Sequence, residues 1–372
     1  MKPPLPFIDL ATQREKLGKR IDERVKTVLD HGAYLMGPEV KTLEEALVGR
    51  SGRRHCISCA SGTDALQMAM MALGVGPGDR VIVPDFTFIA TAEAVRLVGA
   101  EPVFADIDAV SYCLSPESVE SIFQDNGSSI VGVITVDLFG HPSRSRQIEE
   151  LAGRRGAWLI VDAAQSFGAM RGGESCLAPG VISTTSFYPS KPLGGYGDGG
   201  AIFCDDDGLA GDLRSIRVHG SGEVAGSHDR LGVTGRLDTI QAAVLLTKLE
   251  VFDQELECRQ EIANRFGQAL GESIRVPSVD DDATSVWAQY TVEVDKRHEI
   301  RQSLNEAGIP TCVFYPRRVS ANLPYRSFGI APGGVPVAGR ATSRVMSLPM
   351  HPYLTESDQD RIVSELLQAL EN

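Results

Sequence analysis

The sequence lacks any apolar run near the roughly 20 residues that a helix needs to cross a bilayer. Its best stretches, "IVGVITV" (130–136) and "MAMMALGV" (68–75), are strand-sized or end at glycine and proline. The first residues, "MKPPLPFIDLATQREK", turn charged at once and carry no apolar signal-peptide core. These absences exclude a membrane partner and predict a cytoplasmic protein. Basic charge is in deficit, with 36 Lys+Arg against 49 Asp+Glu and a formal charge of -13, which argues against nucleic acid as a partner. No basic stripe or DNA-binding helical module flanks the chain. Seven cysteines, an odd number scattered along the chain, suit reduced thiols in apolar elements. Cys56 and Cys59 spell C-x-x-C, but without a second pair or a His pair at zinc-site spacing no metal is predicted. Internal repeats and low-complexity tracts are also missing.

What is present is alternation. From residue 56 short apolar runs alternate with helical ones: "CISCA" (56–60) with "TDALQMAMMAL", "RVIVPD" (80–85) with "FIATAEAVRLV", "EPVFADI" (101–107) with "PESVESIFQ". "IVGVITVDLFG" (130–140), "AWLIVDAAQ" (157–165), "VISTTSFY" (181–188) and "AIFCDD" (201–206) follow. Such a pattern predicts a mainly parallel sheet covered on both faces. At 372 residues the chain exceeds the roughly 250 to 300 that one core serves. Residues 1–250 are read as a large α/β domain with an N-terminal arm, and 251–372 as a smaller α+β domain. A helical pattern over 236–270 is expected to bridge them. The second domain is expected to use strands at 287–294 and 308–316 and helices near 296–307 and 355–370.

One segment, "TSFYPSKPLGGYGDGGA" (185–201), frames Lys191 between two prolines and ahead of a run of glycines. The prolines stiffen the backbone and the glycines allow other atoms close to it. Open α/β sheets bind ligands at the carboxyl ends of their strands, and two further signals fall at such ends. "SCASGTDAL" opens a helix at Gly62 and Thr63, where free amides favour an anion; Ser and Thr also begin helices merely as caps. "LIVDAAQSFGA" sets Asp162 at the end of an apolar strand, with Gln165 close behind. A carboxylate in that position needs a cationic or hydrogen-bonding partner.

Pyridoxal 5'-phosphate requires all three: a lysine for its aldehyde, an acid to keep its ring nitrogen protonated, and a cup for its phosphate. An acid beside the ring nitrogen stabilises the charged form, and a lysine freed from the aldehyde can move protons as general base and acid. Lys191 and Asp162 are therefore the candidate catalytic pair.

The segments "GPEV" (37–40), "SGTDAL" (61–66), "GPGDRVIVPDFTFIATA" (76–92), "DAAQSFGA" (162–169), "SFYPSKPLGGYGDGGA" (186–201) and "GRLDTIQAAVL" (235–245) resemble the DegT, DnrJ, EryC and StrS sugar aminotransferases. The resemblance runs from about residue 7 to "SLPMHPYLT" (347–355), and around Lys191 it is most similar to enzymes that aminate UDP-linked 3-keto hexuronic acids. It implies the fold type I architecture of pyridoxal-phosphate transferases and a homodimer with active sites at the interface. Lys191 matches the Schiff-base lysine, Asp162 the partner of the ring nitrogen, and Gln165 a residue beside the phenolic oxygen. Gly62, Thr63 and Ser186 match the phosphate cup. Phe88 matches the aromatic that stacks on the ring, although its residue type alone reads as core packing.

Two departures stand out. Where the family usually has Asn, a small residue and Arg, in a segment that reaches the neighbouring subunit's phosphate, this chain has Thr234, Gly235 and Arg236. Phe314 stands where close relatives often have His near the sugar, and Tyr315 follows it. Arg236, Arg317 and Arg318 are candidates to meet a diphosphate or carboxylate; Arg317 and Arg318 read equally as solvated loop charge. The activity implied is ping-pong transfer of an amino group from L-glutamate to a keto group of a nucleotide-linked sugar, a UDP-3-keto hexose or hexuronic acid. A cyclitol or deoxysugar aminotransferase is the alternative, and a non-enzymatic cofactor-binding sensor a third reading. Related sugar dehydratases carry histidine in place of the lysine, so Lys191 argues against that activity.

Overall fold

Apolar residues run almost unbroken along the central strands so that both faces can be buried, and the computed structural model, which describes residues 3–126 and 129–371, realises this pattern. A seven-stranded sheet is built from β1 (His55–Cys59), β2 (Arg80–Pro84), β3 (Glu101–Ala105), β4 (Ile130–Val136), β5 (Trp158–Asp162), β8 (Ile182–Ser186) and β9 (Gly200–Cys204), in the order β1-β9-β8-β5-β4-β2-β3. Only β9 runs against its neighbours in this sheet; the others are parallel to one another. The sheet is thus mainly parallel and mixed, as the alternation predicts. Short strands β6 (Met170–Arg171), β7 (Glu174–Ser175) and β10 (Ala283–Thr284) form a second sheet, and β11 (Tyr290–Glu293) pairs antiparallel with β12 (Val345–Leu348).

Val81, Val83, Ile134 and Ile160 face one way, against α3 (Gly62–Ala72), α4 (Ala90–Leu97) and α7 (Asp207–Ile216). Their neighbours Ile82, Val133, Leu159 and Val161 face the other, against α5 (Pro116–Asn126) and α6 (Ser145–Gly153). Ala201 and Phe203 on β9 pack with α2 (Pro38–Ser51) and α8 (Thr239–Leu249). Helix α1 (Leu10–His31) lies against α8 through Leu17, Ile21 and Val244. Its ends carry the expected signals: Asp9 accepts the Thr12 amide, and Gly32 closes the helix at φ 73°.

The C-terminal half has its own core, where α9 (Phe252–Leu270), α10 (Arg297–Glu306) and α12 (Glu356–Glu371) enclose β11 and β12 around Phe266, Tyr290 and Ile362. The pattern over 236–270 is two helices, not one. Hydrogen bonds tighten to the third residue at Glu250 and Val251, where Val251 takes φ -116° and ψ 1°. The break lets α8 pack on the large sheet while α9 turns into the second core. Residues 308–316 are not a strand: only Cys312 bridges to Ser347, and Pro310 and Pro316 have no amide to donate. Residues 319–345 return to the first half. Val319 and Tyr325 join the core beneath β2, and α11 (Pro336–Arg344) packs Ala338 and Ala341 beside Phe86, Val136 and Phe139. We propose residue 250 as the boundary between two domains, with residues 319–345 as a strap from the second onto the first.

Gly132 on β4 sits opposite Trp158 on β5, and a Cβ at Gly132 would fall 2.2 Å from the indole ring. Gly132→Ala should lower stability by about 1–3 kcal/mol through overpacking, read as a lower denaturant midpoint at unchanged slope. An unchanged midpoint would mean that the indole moves aside freely.

Candidate active site

All of the central parallel strands end on one side of the sheet, and the chain places its reactive residues just past those ends. The Lys191 segment follows β8. Its backbone folds back sharply: the Lys191 amide donates to the Tyr188 carbonyl at 2.9 Å, and the Gly195 amide to the Phe187 carbonyl at 2.7 Å. A side chain at Gly194 would bring its Cβ within 2.4 Å of the Pro189 carbonyl oxygen. Glycine is therefore required there by close approach of the chain to itself, and the result is a lysine on a stiff, compact loop.

Asp162 ends β5 with 6% of its surface exposed. Its carboxylate accepts from the Ala164 amide at 3.1 Å and from the Thr91 hydroxyl at 3.3 Å. Burial raises its pKa above the ordinary aspartate value, while the Ala164 amide, the Lys191 charge and Thr91 oppose the rise. Burial also pulls the Lys191 amine below its ordinary value, with Asp162 opposing. Gln165, one turn on, accepts the Phe139 amide at 2.8 Å and donates Nε2 to the Tyr315 hydroxyl at 3.4 Å.

Asp162, Gln165 and Lys191 line a cavity of ≈ 480 Å³ together with Phe314 and Tyr315. The same cavity reaches Gly62, Thr63 and Ser186 at the start of α3. Ser61 caps that helix by accepting the Asp64 amide at 3.0 Å, so the preceding amides of Gly62 and Thr63 point outward in the usual manner of a helix start. A Cβ on Gly62 would approach the Ser186 Cβ to 2.8 Å, so only glycine keeps this cup open. Phe88 also lines the cavity, 54% exposed, its ring 6.2 Å from that of Tyr315. It is a wall of the cavity and not the core residue that its type alone suggests.

Four expected site residues lie elsewhere in the single chain. The Thr234 hydroxyl pairs with the His219 ring at 2.9 Å, Arg236 is half-buried with its Nε unpartnered among the described residues, and Arg317 is exposed. Arg318 lies 3.8 Å from the buried carboxylate of Asp85. Other residues escaped the sequence reading. Thr91 holds Asp162; Gln289 and Asp198 line the cavity. Asp137, fully buried after β4, donates its amide to the Asp162 carbonyl at 3.0 Å and accepts from Ser143 and Ser166, each at 2.8 Å. Burial raises its pKa to about 6. An acid at the end of an apolar strand was the signal that singled out Asp162, and "ITVDLFG" carries the same signal.

A model of the DegT/DnrJ/EryC1/StrS aminotransferase family matches residues 15–367. The chain belongs to that family. An aminotransferase of Pseudomonas aeruginosa, named for UDP-2-acetamido-2-deoxy-3-oxo-D-glucuronate, is 46% identical over 351 residues, 94% of this chain and 96% of that protein. The crystal structure of a family member from Brucella abortus superposes with a TM-score of 0.96 at 44% identity, covering 98% of this chain and 99% of that one. DesV of S. venezuelae, solved in complex with a ketimine intermediate, matches at TM-score 0.95 and 35% identity over 100% of both chains. This DegT-family chain is an aminotransferase of fold type I, and its cofactor is pyridoxal phosphate. The residues fit the group: Thr87 lines the cavity with a buried hydroxyl that no other described residue satisfies, the glycine-kept cup suits a phosphate, and a carboxylate and an amine face the same space.

Borohydride should fix the cofactor on the peptide containing Lys191, and a label elsewhere would remove that lysine from its role. Asp162→Ala should still bind cofactor yet lose turnover by about 10²-fold or more, some 2.7 kcal/mol. In cofactor-free protein Asp162→Asn removes the charge that raises the Lys191 pKa. The amine then loses its proton at lower pH, and an amine-specific reagent attacks it from a lower pH than in the parent. An unchanged profile would show that the two groups do not feel each other.

Proposed function

We propose that the chain moves the amino group of L-glutamate onto the keto carbon of a nucleotide-linked sugar, a UDP-linked 3-keto hexose or hexuronic acid, in amino-sugar biosynthesis. The observation that carries this is the joining of Lys191, Asp162 and the Gly62–Ser186 cup in one cavity, within a chain 46% identical to an aminotransferase named for a UDP-linked 3-oxo-glucuronate. Glutamate leaves as 2-oxoglutarate and the ketone as the amine, so the exchange balances without any external oxidant or reductant.

When bound, pyridoxal phosphate supplies the aldehyde that ferries the amino group and a ring that accepts the electron pair left by the departing proton. The chain supplies the rest. Asp162, held by Thr91 and the Ala164 amide, presents a carboxylate to a cationic ring nitrogen and stabilises that charge. Lys191 Nζ, with its pKa lowered by burial, takes the proton from the donor's α-carbon and returns one to the sugar carbon in the second half of the cycle. The amides of Gly62 and Thr63 and the Ser186 hydroxyl would hold the phosphate at a helix start. Phe88, Gln165 and Tyr315, which line the same cavity, would flank the ring.

The reading includes a cytoplasmic homodimer that binds neither nucleic acid nor membrane. Among the described residues no helix is long and apolar enough to cross a membrane. Exposed Tyr34, Leu35, Met36 and Leu231 favour coverage by a second copy. A second copy would also give Thr234 and Arg236 a cavity to reach. Once Arg236→Ala is known to be inactive, mixing it with Lys191→Ala should restore part of the activity through hybrid dimers. No recovery after demonstrated subunit exchange would assign Arg236 to its own subunit.

A substrate carrying a diphosphate must approach a protein of charge -13, so local cations such as Arg236, Arg317 and Arg318 have to outweigh the mean field. We expect glutamate-dependent amination of a UDP-linked 3-keto sugar, weaker at high salt because part of that attraction is screened. Phe314 cannot donate a hydrogen bond to a sugar hydroxyl, so the panel should include the uronic acid, neutral and deoxy analogues, and a cyclitol ketone, each followed by 2-oxoglutarate release. A tenfold preference for the cyclitol, about 1.4 kcal/mol, would overturn the nucleotide-sugar reading and leave the aminotransferase intact.

A further inference from the structure

Beside the Lys191 loop lies a second and much smaller chamber of ≈ 20 Å³, which shares Lys191 with the main cavity as a wall. One wall is the loop itself, Pro189 to Gly194. The other walls come from distant parts of the chain and include the half-buried Asp9 that caps α1, Gln13 on α1, Glu255 and Arg259 on α9, and His351 and Tyr353 after β12. Gln13, Glu255, Arg259 and His351 are each less than 9% exposed. Glu255 accepts both carboxylate oxygens' worth of hydrogen bonds from Gln13 Nε2, at 3.0 and 3.2 Å, and a further one from the Tyr353 hydroxyl. Arg259 donates to the carbonyls of Trp287 at 3.0 Å and Met350 at 3.1 Å.

Burying such groups is costly, and apolar side chains of the same volume would support a loop without that cost. His351 adds a second oddity. It is 2% exposed, and neither ring nitrogen has a hydrogen bond of good geometry among the described residues, although the Pro6 carbonyl lies close enough to favour a proton on the ring. Burial, with Arg259 next in weight, lowers its pKa to about 4, so near neutrality the ring has one donor and one acceptor nitrogen. The Gln13 carbonyl oxygen is likewise buried without a donor. A polar chamber of this size suits a single water with two to four partners.

We propose that His351, acting through one internal water and braced by Glu255 and Arg259, is a positioning residue that holds the Lys191 loop in the posture in which its amine meets the cofactor aldehyde. In that reaction the Lys191 nitrogen bonds to the aldehyde carbon and one water leaves. The loop's stiffness comes from its own prolines, but its placement over the cavity comes from this cluster. The proposal rests on Lys191 as the cofactor-bonding lysine.

The test compares two probes on the full chain freed of cofactor. Pyridoxal phosphate bonds to Lys191 and is followed by its visible absorbance; pyridoxamine phosphate has no aldehyde, occupies the same cavity and needs no lysine. His351→Phe should slow covalent capture of pyridoxal phosphate at least tenfold and lower kcat by a similar factor. Pyridoxamine phosphate affinity and the KM for glutamate should stay within twofold, and His351→Gln, which can still donate and accept, should recover most of the loss. Glu255→Gln serves as the second variant if His351→Phe does not fold. Capture at the parent rate, or equal weakening of both probes, overturns the proposal. Borohydride labelling away from Lys191 in the parent would instead overturn the reading on which it rests.

Discussion

Asp162 stands at the carboxyl end of a buried strand, and its charge is sustained by Lys191, Thr91 and the Ala164 amide in place of bulk water. A buried carboxylate without partners would take up a proton, and a neutral acid cannot stabilise a cationic ring. Much of the architecture serves to keep that charge in place. Helix α4 must bring Thr91 to β5, the turn after β5 must return the Ala164 amide, and the β8 segment must present Lys191 from the adjacent strand. The antiparallel β9 closes the arrangement by starting at the same edge, where Gly200 lies so close to the Ser61 carbonyl that a Cβ would sit 2.5 Å from its oxygen.

The sequence made the central sheet legible because each strand there is buried on both faces and flanked by helices of clear period. It made the site legible where a residue's type and its place at a strand end agree, as at Asp162, Lys191, and the Gly62–Thr63 helix start. It failed where three-dimensional packing overrides local pattern. Nothing in the run from 236 to 270 announces a break at Val251; the break exists because two cores compete for the two halves of the pattern. Residues 308–316 have strand-forming side chains, but among the described residues the one β-bridge they make is Cys312 to Ser347.

Arginines were the least legible feature. Arg236, Arg317 and Arg318 share one residue type and one expectation, yet one has a buried unpartnered nitrogen, one is solvated and one neighbours Asp85. A guanidinium's role depends on what its long side chain meets, and no periodicity records that. Asp137 is the opposite case: its place after β4 carries the same strand-end signal as Asp162, and residue type alone does not tell which of the two carboxylates faces the cavity. In the fold it braces the loop through Ser143 and Ser166, behind Gln165.

The return of residues 319–345 to the first half also orders events in time. During synthesis the lysine, the aspartate and the phosphate cup emerge well before Phe314 and Tyr315, which complete the cavity wall, and before the strap that buries Val319 and Ala338. A nascent chain that ends short of them holds the reactive pair in a half-walled site, with the apolar surface beside Phe86 and Phe139 left bare. Such a surface is prone to off-pathway association, so the ribosome must deliver residues 314–345 before the reactive centre is sheltered.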